Sequence, residues 1–221
     1  MLCAAPRQAV SVITTQHQDF AAGGVIRITG STGELNVEGW DRPEVQIQVR
    51  RTVYRDETPA DRDRARKELE GVHVTVDTSK ASELAISTAF PKHKFPMSLA
   101  AKCEVDLDYR IMVPRNSKLE IQHGMGDVTI YDVSGDLQVR IRSGDIVAQL
   151  PQPGIYNIDA RTTLGTVYTD IGGVWRAPYL IGQRFAGTAT GAARQINFHS
   201  GAGGISIVKM SAPAPTTVST Q

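Results

Sequence analysis

The sequence predicts an all-β protein whose strands stack as a β-solenoid, and three observations predict it. Residues 126–152 read as three consecutive nine-residue units, GDVTIYDVS, GDLQVRIRS and GDIVAQLPQ, each opening with Gly-Asp and following it with an aliphatic residue. A strand of about five residues plus a corner of about four uses up one such unit, so each unit is expected to be one rung. Within the units the apolar residues alternate: Val128 and Ile130, then Leu137, Val139 and Ile141, then Ile146, Ala148 and Leu150. Period two puts these side chains on one face of a strand and Thr129, Gln138, Arg140 and Val147 on the other. One rung cannot bury such a face alone, so its neighbours must stack on it. The third observation is composition, because 20 glycines and only 6% aromatic residues in 221 suit a turn-rich β protein. Gly126, Gly135 and Gly144 are expected at corners with positive φ, with each following aspartate bonded to its turn backbone.

Residues 1–22 are polar and irregular apart from 10–13, and are expected to be an irregular arm with room for one edge strand. Residues 24–28 (GVIRI), 33–38 (GELNVE) and 44–50 (EVQIQVR) alternate as strands between glycine-rich and proline-rich turns, with Val45, Ile47 and Val49 inward. At Thr58 the period becomes that of a helix over about 59–70: Thr58 suits the N-cap, Pro59 the first helical position and Gly71 the stop. Its apolar content is thin (Ala60, Ala65, Leu69), so it should lie on the surface with one narrow stripe docked, and residues 62–67 should form a solvated face. Strands resume at 72–76 and 83–88. Residues 90–97 (FPKHKFPM) are basic, aromatic and aperiodic, and read as a surface excursion or a binding loop. The longest strand is expected over 103–113, and Leu119 and Ile121 lead into the nine-residue units. Residues 155–160, 165–170 and 203–209 continue the strand rhythm, 184–193 read as a turn-rich crossing, and 211–221, rich in Ser, Thr, Pro and Ala, as a disordered tail. The domain plan is therefore one β-solenoid over 23–210.

Lys plus Arg at 24 against Asp plus Glu at 23 leaves a formal charge of +1, which removes the bulk electrostatic case for nucleic acid or an anionic membrane as partner. No apolar run approaches the ~20 residues that span a bilayer, and no signal-like segment precedes the domain. Two cysteines are too few for a disulfide framework. Cys103 is in phase with Val105, Leu107 and Tyr109 and reads as a small core residue. Cys3 precedes Ala4, Ala5 and Pro6 as a lipid-bearing cysteine would, although Met1 and Leu2 are too short for a lipobox.

No constellation makes a strong chemical signal. Gly-Asp units suggest a calcium roll, but the sixth positions are Tyr131, Arg140 and Gln149 where that motif needs aspartate, so Asp127, Asp136 and Asp145 read as turn caps. Asp106, Asp108 and Arg110 alternate on the outer face of the long strand, where carboxylates could serve polysaccharide chemistry, yet a charged exposed strand is ordinary and Arg110 would neutralise its neighbours. His17, His73, His93, His123 and His199 are scattered without the spacing of a zinc site. Trp40 and Trp175 each adjoin a turn and are expected to cover an end or flank of the stack, with sugar stacking the alternative. No catalytic, cofactor or metal residue is assigned.

Residues 38–45 (EGWDRPEV), 108–116 (DYRIMVPRN) before the Ser-Gly-Asp-Ile units, and 201–207 (GAGGISI) together resemble the putative adhesin family of bacterial envelope proteins, over roughly residues 24–210. The resemblance implies a single-stranded right-handed β-helix-like stack, placed in the periplasm or at the cell surface and attached to membrane only through an anchor. It offers no catalytic residues to carry over. The expected function is a non-enzymatic envelope scaffold or adhesion module, and the alternative is a carbohydrate-binding or carbohydrate-active protein on the same scaffold. Expected partners are an envelope protein or surface polysaccharide, with self-association through unpaired end rungs.

Overall fold

The computed structural model describes residues 8–55, 59–80, 82–89, 105–176, 181–188, 190–191 and 194–210. In chain order the strands are β1 (Gln8–Asp19), β2 (Val25–Thr32), β3 (Glu34–Trp40) and β4 (Glu44–Arg55), followed by helix α1 (Pro59–Glu70). Then come β5 (His73–Lys80), β6 (Glu83–Ala89), β7 (Val105–Pro114), β8 (Lys118–Met125), β9 (Val128–Tyr131), β10 (Leu137–Ser143) and β11 (Ile146–Leu150). The last six are β12 (Tyr156–Leu164), β13 (Val167–Thr169), β14 (Val174–Arg176), β15 (Arg184–Gly187), β16 (Arg194–Ala202) and β17 (Ile205–Lys209). The chain is all-β apart from α1, in two open sheets of mixed direction. Sheet A has eight strands in the order β1-β4-β7-β3-β9-β11-β17-β13, and sheet B has nine in the order β14-β15-β12-β16-β10-β8-β2-β6-β5.

Twelve of these strands form six successive pairs that give one strand to each sheet, in the same spatial order in both: β6–β7, β2–β3, β8–β9, β10–β11, β16–β17, β12–β13. Every contact between neighbouring pairs is parallel and in register. This corrects the expected rung. The nine-residue unit is half a coil: Ile146 pairs with Val128 in sheet A, while Leu137 pairs with Leu119 in sheet B. The physical reason is that two sheets must face each other to close a dry interior, so alternate units belong to opposite sheets. Val128, Leu137 and Ile146 are all fully buried in one core between them, as are Val139, Ala148 and Leu150.

The stack also departs from chain order, which a single-stranded helix of rungs would not do. The pair β6–β7 lies outside β2–β3, and β16–β17 inserts between β10–β11 and β12–β13. Two further expectations are corrected. Residues 8–19 of the supposedly irregular arm form a 12-residue edge strand antiparallel to β4, pairing one for one from Gln8 with Arg55 to Asp19 with Glu44, well beyond the short edge strand that residues 10–13 had room for. Residues 184–187 of the supposed crossing form β15, which buries Phe185 completely. The long strand expected over 103–113 is β7, described from Val105 to Pro114, and β1 and β4 span 12 residues each.

The corners explain the glycines. Gly126 and Gly144 carry φ of 120° and 129°, whereas Gly135 does not adopt positive φ; there a Cβ would lie 2.1 Å from the Ser117 carbonyl oxygen. The aspartates do not cap their own turns. Asp127 Oδ1 accepts the N–H of Asp145, Asp145 Oδ1 that of Gly204, and Asp136 Oδ1 that of Gln195, each in the adjacent coil.

Each end of the core is covered by other elements. At one end α1 packs on β4 and β1 and buries Ala65 and Leu69, as its narrow stripe predicts. Arg51 donates to the carbonyls of Val72 (2.7 Å) and Leu69 (3.5 Å) at the C-terminal end of that helix, where a cation complements the helix dipole. At the other end β15 runs antiparallel to β12 and β14 to β15, and Trp175 lies against Phe185 with ring centroids 4.9 Å apart. The expected N-cap Thr58, Cys3, Cys103, the 90–97 segment and the expected 211–221 tail lie outside the described residues.

Candidate functional site

The outer faces of the two sheets carry the side chains that the core does not use. On sheet A a cleft of about 360 Å³ crosses β1, β4, β7, β3 and β9, and it contains two of the three residues singled out on the long strand, Asp108 and Arg110. A second hollow of about 500 Å³ adjoins it, shares Arg50 and Asp108, and brings in Asp106. The register builds this arrangement. Asp108 lies between Arg50 of β4 and Glu34 of β3, and Arg110 lies between Gln48 and Asn36.

Electrostatically the cleft is cross-paired. Arg50 Nη1 stands 3.8 Å from Asp108 Oδ2, and Arg110 Nη2 donates to Glu38 Oε2 at 3.3 Å. Arg110 therefore serves Glu38 on the next strand, and Arg50 serves Asp108. Asn36, Gln48 and Thr129 add neutral hydrogen-bonding groups, and Ile13 and Tyr131 give an apolar border, 52% and 39% exposed. The chemistry available is hydrogen bonding and ring contact with a polar ligand on a rigid sheet. Arg50, Glu38, Asn36, Gln48 and Tyr131 are outward positions of alternating strands, so their exposure was legible; their meeting with β7 was not, because sequence spacing does not reveal that β7 inserts between β3 and β4.

The other weighed residues scatter. Asp127 and Asp145 follow one another at the sheet A corners, while Asp136 enters sheet B, so the three do not converge on one ion. Among the described residues no group of three or more His, Cys, Asp and Glu gathers as for a metal. His17 lies 3.4 Å from Glu44, His73 is in β5, and His123 is buried with Nε2 donating to the Gly33 carbonyl at 2.8 Å. Trp40 donates Nε1–H to the Glu44 carbonyl at 2.8 Å beneath the Arg42 guanidinium, 5.0 Å from its ring, and Trp175 covers Phe185 while remaining 49% exposed. Both indoles thus have structural neighbours.

The sequence matches no family profile and no curated protein. Among solved structures, a putative cell adhesion protein from Clostridium sporogenes superposes with a TM-score of 0.53 at 11% identity, over 92% of this chain and 100% of the other. A putative adhesin from Bacteroides fragilis aligns at 10% identity over 90% of this chain and 97% of the other, with a TM-score of 0.31. The first likeness is one of fold.

Proposed function

We propose that the chain is a non-enzymatic interaction module of the bacterial cell envelope, its core a β-solenoid of two-strand coils, and the cross-paired cleft on sheet A its binding surface. The observation that carries this reading is the pairing of Asp108 with Arg50 and of Glu38 with Arg110. Carboxylates held by arginines on a rigid platform recognise polar groups well and are poorly placed to exchange protons. In-register parallel stacking in both sheets supports the solenoid reading, and the adhesion-protein fold shared with the Clostridium sporogenes structure supports the adhesive role. A lectin-like variant of the same reading is favoured by Tyr54 and Tyr131, exposed rings bordering the two hollows.

The test is fractionation of the source cell with an antibody to the chain, joined to binding of the purified protein to envelope polysaccharide and envelope protein fractions. The expected result is recovery in the periplasmic or surface fraction and a binding signal that Arg110→Ala and Tyr131→Ala weaken. Recovery in the cytosol, or binding indifferent to both substitutions, would sink the proposal.

A further inference from the structure

The outer face of sheet B carries an arrangement that the balanced net charge conceals. Arg176 of β14 pairs with Arg184 of β15, Arg184 with Arg161 of β12, Arg161 with His199 of β16, and His199 with Arg140 of β10. Five adjacent strands thus place an arginine or histidine in one transverse row, and at about 4.8 Å per strand the row is roughly 19 Å long. Like charges directly opposite each other destabilise a sheet. Only Arg184 is neutralised, by a fork of two 2.8 Å hydrogen bonds to Asp159. Arg140, Arg161 and Arg176, with Arg142 two residues beyond Arg140, have no acidic partner among the described residues and are exposed. Beside the row, Asn197 and Gln138 are register partners and line a hollow of about 250 Å³ with Arg140, Arg161, His199 and Asp159, the last with both carboxylate oxygens on Arg184. His199 keeps Nδ1 buried without a hydrogen-bond partner. Burial first, and then the charges of Arg161 and Arg140, hold its imidazole below the ordinary range, against the raising effect of a hydrogen bond with the Arg161 backbone.

We infer that this row is a second binding site, for a linear acidic polysaccharide laid across the strands with its carboxylates on Arg140, Arg161 and Arg176 and its hydroxyls on Asn197 and Gln138. Guanidinium forks suit carboxylates, and the side-chain amides suit the hydroxyls between them. Single-stranded nucleic acid fits less well, because the hollow has no exposed aromatic ring on which bases would stack. The site lies on the sheet opposite the sheet A cleft and stands independently of it, so the loss of one leaves the other in place.

The experiment uses the full chain and polygalacturonate, with neutral dextran and an oligothymidylate of matched charge as comparison ligands. Binding to polygalacturonate at low salt, weakening as salt rises, is expected, and dextran should not bind. Arg140→Gln/Arg161→Gln is expected to lose roughly tenfold or more in affinity, and Arg140→Lys/Arg161→Lys to fall between, since charge remains while the fork is lost. Arg66→Gln/Lys67→Gln on the exposed face of α1 should leave this binding unchanged. By NMR the His199 ring should titrate at higher pH when polygalacturonate is bound, because the anion offsets Arg140 and Arg161, the charges that face it from β10 and β12. Absence of binding at low salt, affinity unaltered in the glutamine pair, an unmoved His199 titration, or equal or tighter binding of oligothymidylate would each overturn the assignment.

Discussion

The carboxylate of Asp127 accepts the backbone N–H of Asp145 at 2.8 Å, eighteen residues further along the chain and one coil away. Asp145 repeats the contact with Gly204 at 2.7 Å. A side chain here does what a strand does elsewhere: it ties consecutive coils at the corner, where the ladder is interrupted.

Removing one tie should therefore cost about one hydrogen bond. Asp145→Ala is expected to lower the unfolding free energy by about 1 kcal/mol, and Asp145→Asn by less, because the amide oxygen still accepts. Urea denaturation measures both. Calcium should leave the melting temperature of the parent unchanged, since these carboxylates already serve N–H donors.

Corner glycines should divide sharply by their surroundings. At Gly203, with φ of 139°, an added Cβ would sit 1.9 Å from the carbonyl oxygen of Gly144, which is backbone and cannot yield. Gly203→Ala is expected to cost about 3 kcal/mol or more. Gly172 has nothing within 4 Å of that position, and Gly172→Ala should stay within about 0.5 kcal/mol of the parent. Equal denaturation midpoints would refute the contrast.

Stability should also fall at alkaline pH. Burial pushes the Tyr109 phenol above its ordinary 10.0, against smaller lowering effects from its bond to Thr88 and from Arg51. Because the folded value is the higher one, the unfolded chain loses this proton first. The contribution is present in full below the unfolded pKa and is lost as pH rises through the folded one. Tyr156 is raised for the same leading reason. Tyr109→Phe should flatten the alkaline decline without abolishing it, while losing about 1 kcal/mol at neutral pH with the 2.7 Å bond to Thr88. Thermal melts across the alkaline range report both effects.

At the β13 end, a side chain stands in for the missing next coil. Along sheet A the N–H groups of Leu35, Val128, Ile146 and Ile205 each donate to a carbonyl of the following coil, and Val167 donates to Gln183 Oε1 at 2.9 Å instead. Gln183→Leu should leave that donor open and raise concentration-dependent self-association, while Gln183→Glu keeps an acceptor and should not. Sedimentation velocity across a concentration series decides it.

The inward residues were legible because period two is a local property: Val45, Ile47 and Val49, like Val128, Ile130, Leu137, Val139, Ile141, Ile146, Ala148 and Leu150, all face the core. Pro59, Gly71 and the sparse stripe of Ala65 and Leu69 were enough to locate α1. What sequence spacing could not carry was which strand lies beside which. Half a coil and a whole coil have the same alternation, so the nine-residue period left the number of sheets open. The candidate sites were illegible for the same reason: Arg140, His199 and Arg161 are far apart in the chain, and only the register of β10, β16 and β12 sets them side by side.

The strand pair 194–209 sits in the interior of the stack although it comes last among the described strands. Synthesis thus delivers the keystone after both flanking courses exist, and those courses touch each other in neither sheet until it arrives. A chain cut before residue 194 should be unable to join residues 156–169 to the rest. This architecture cannot shed units from its C-terminal end one by one, and it should lose its order in a single step.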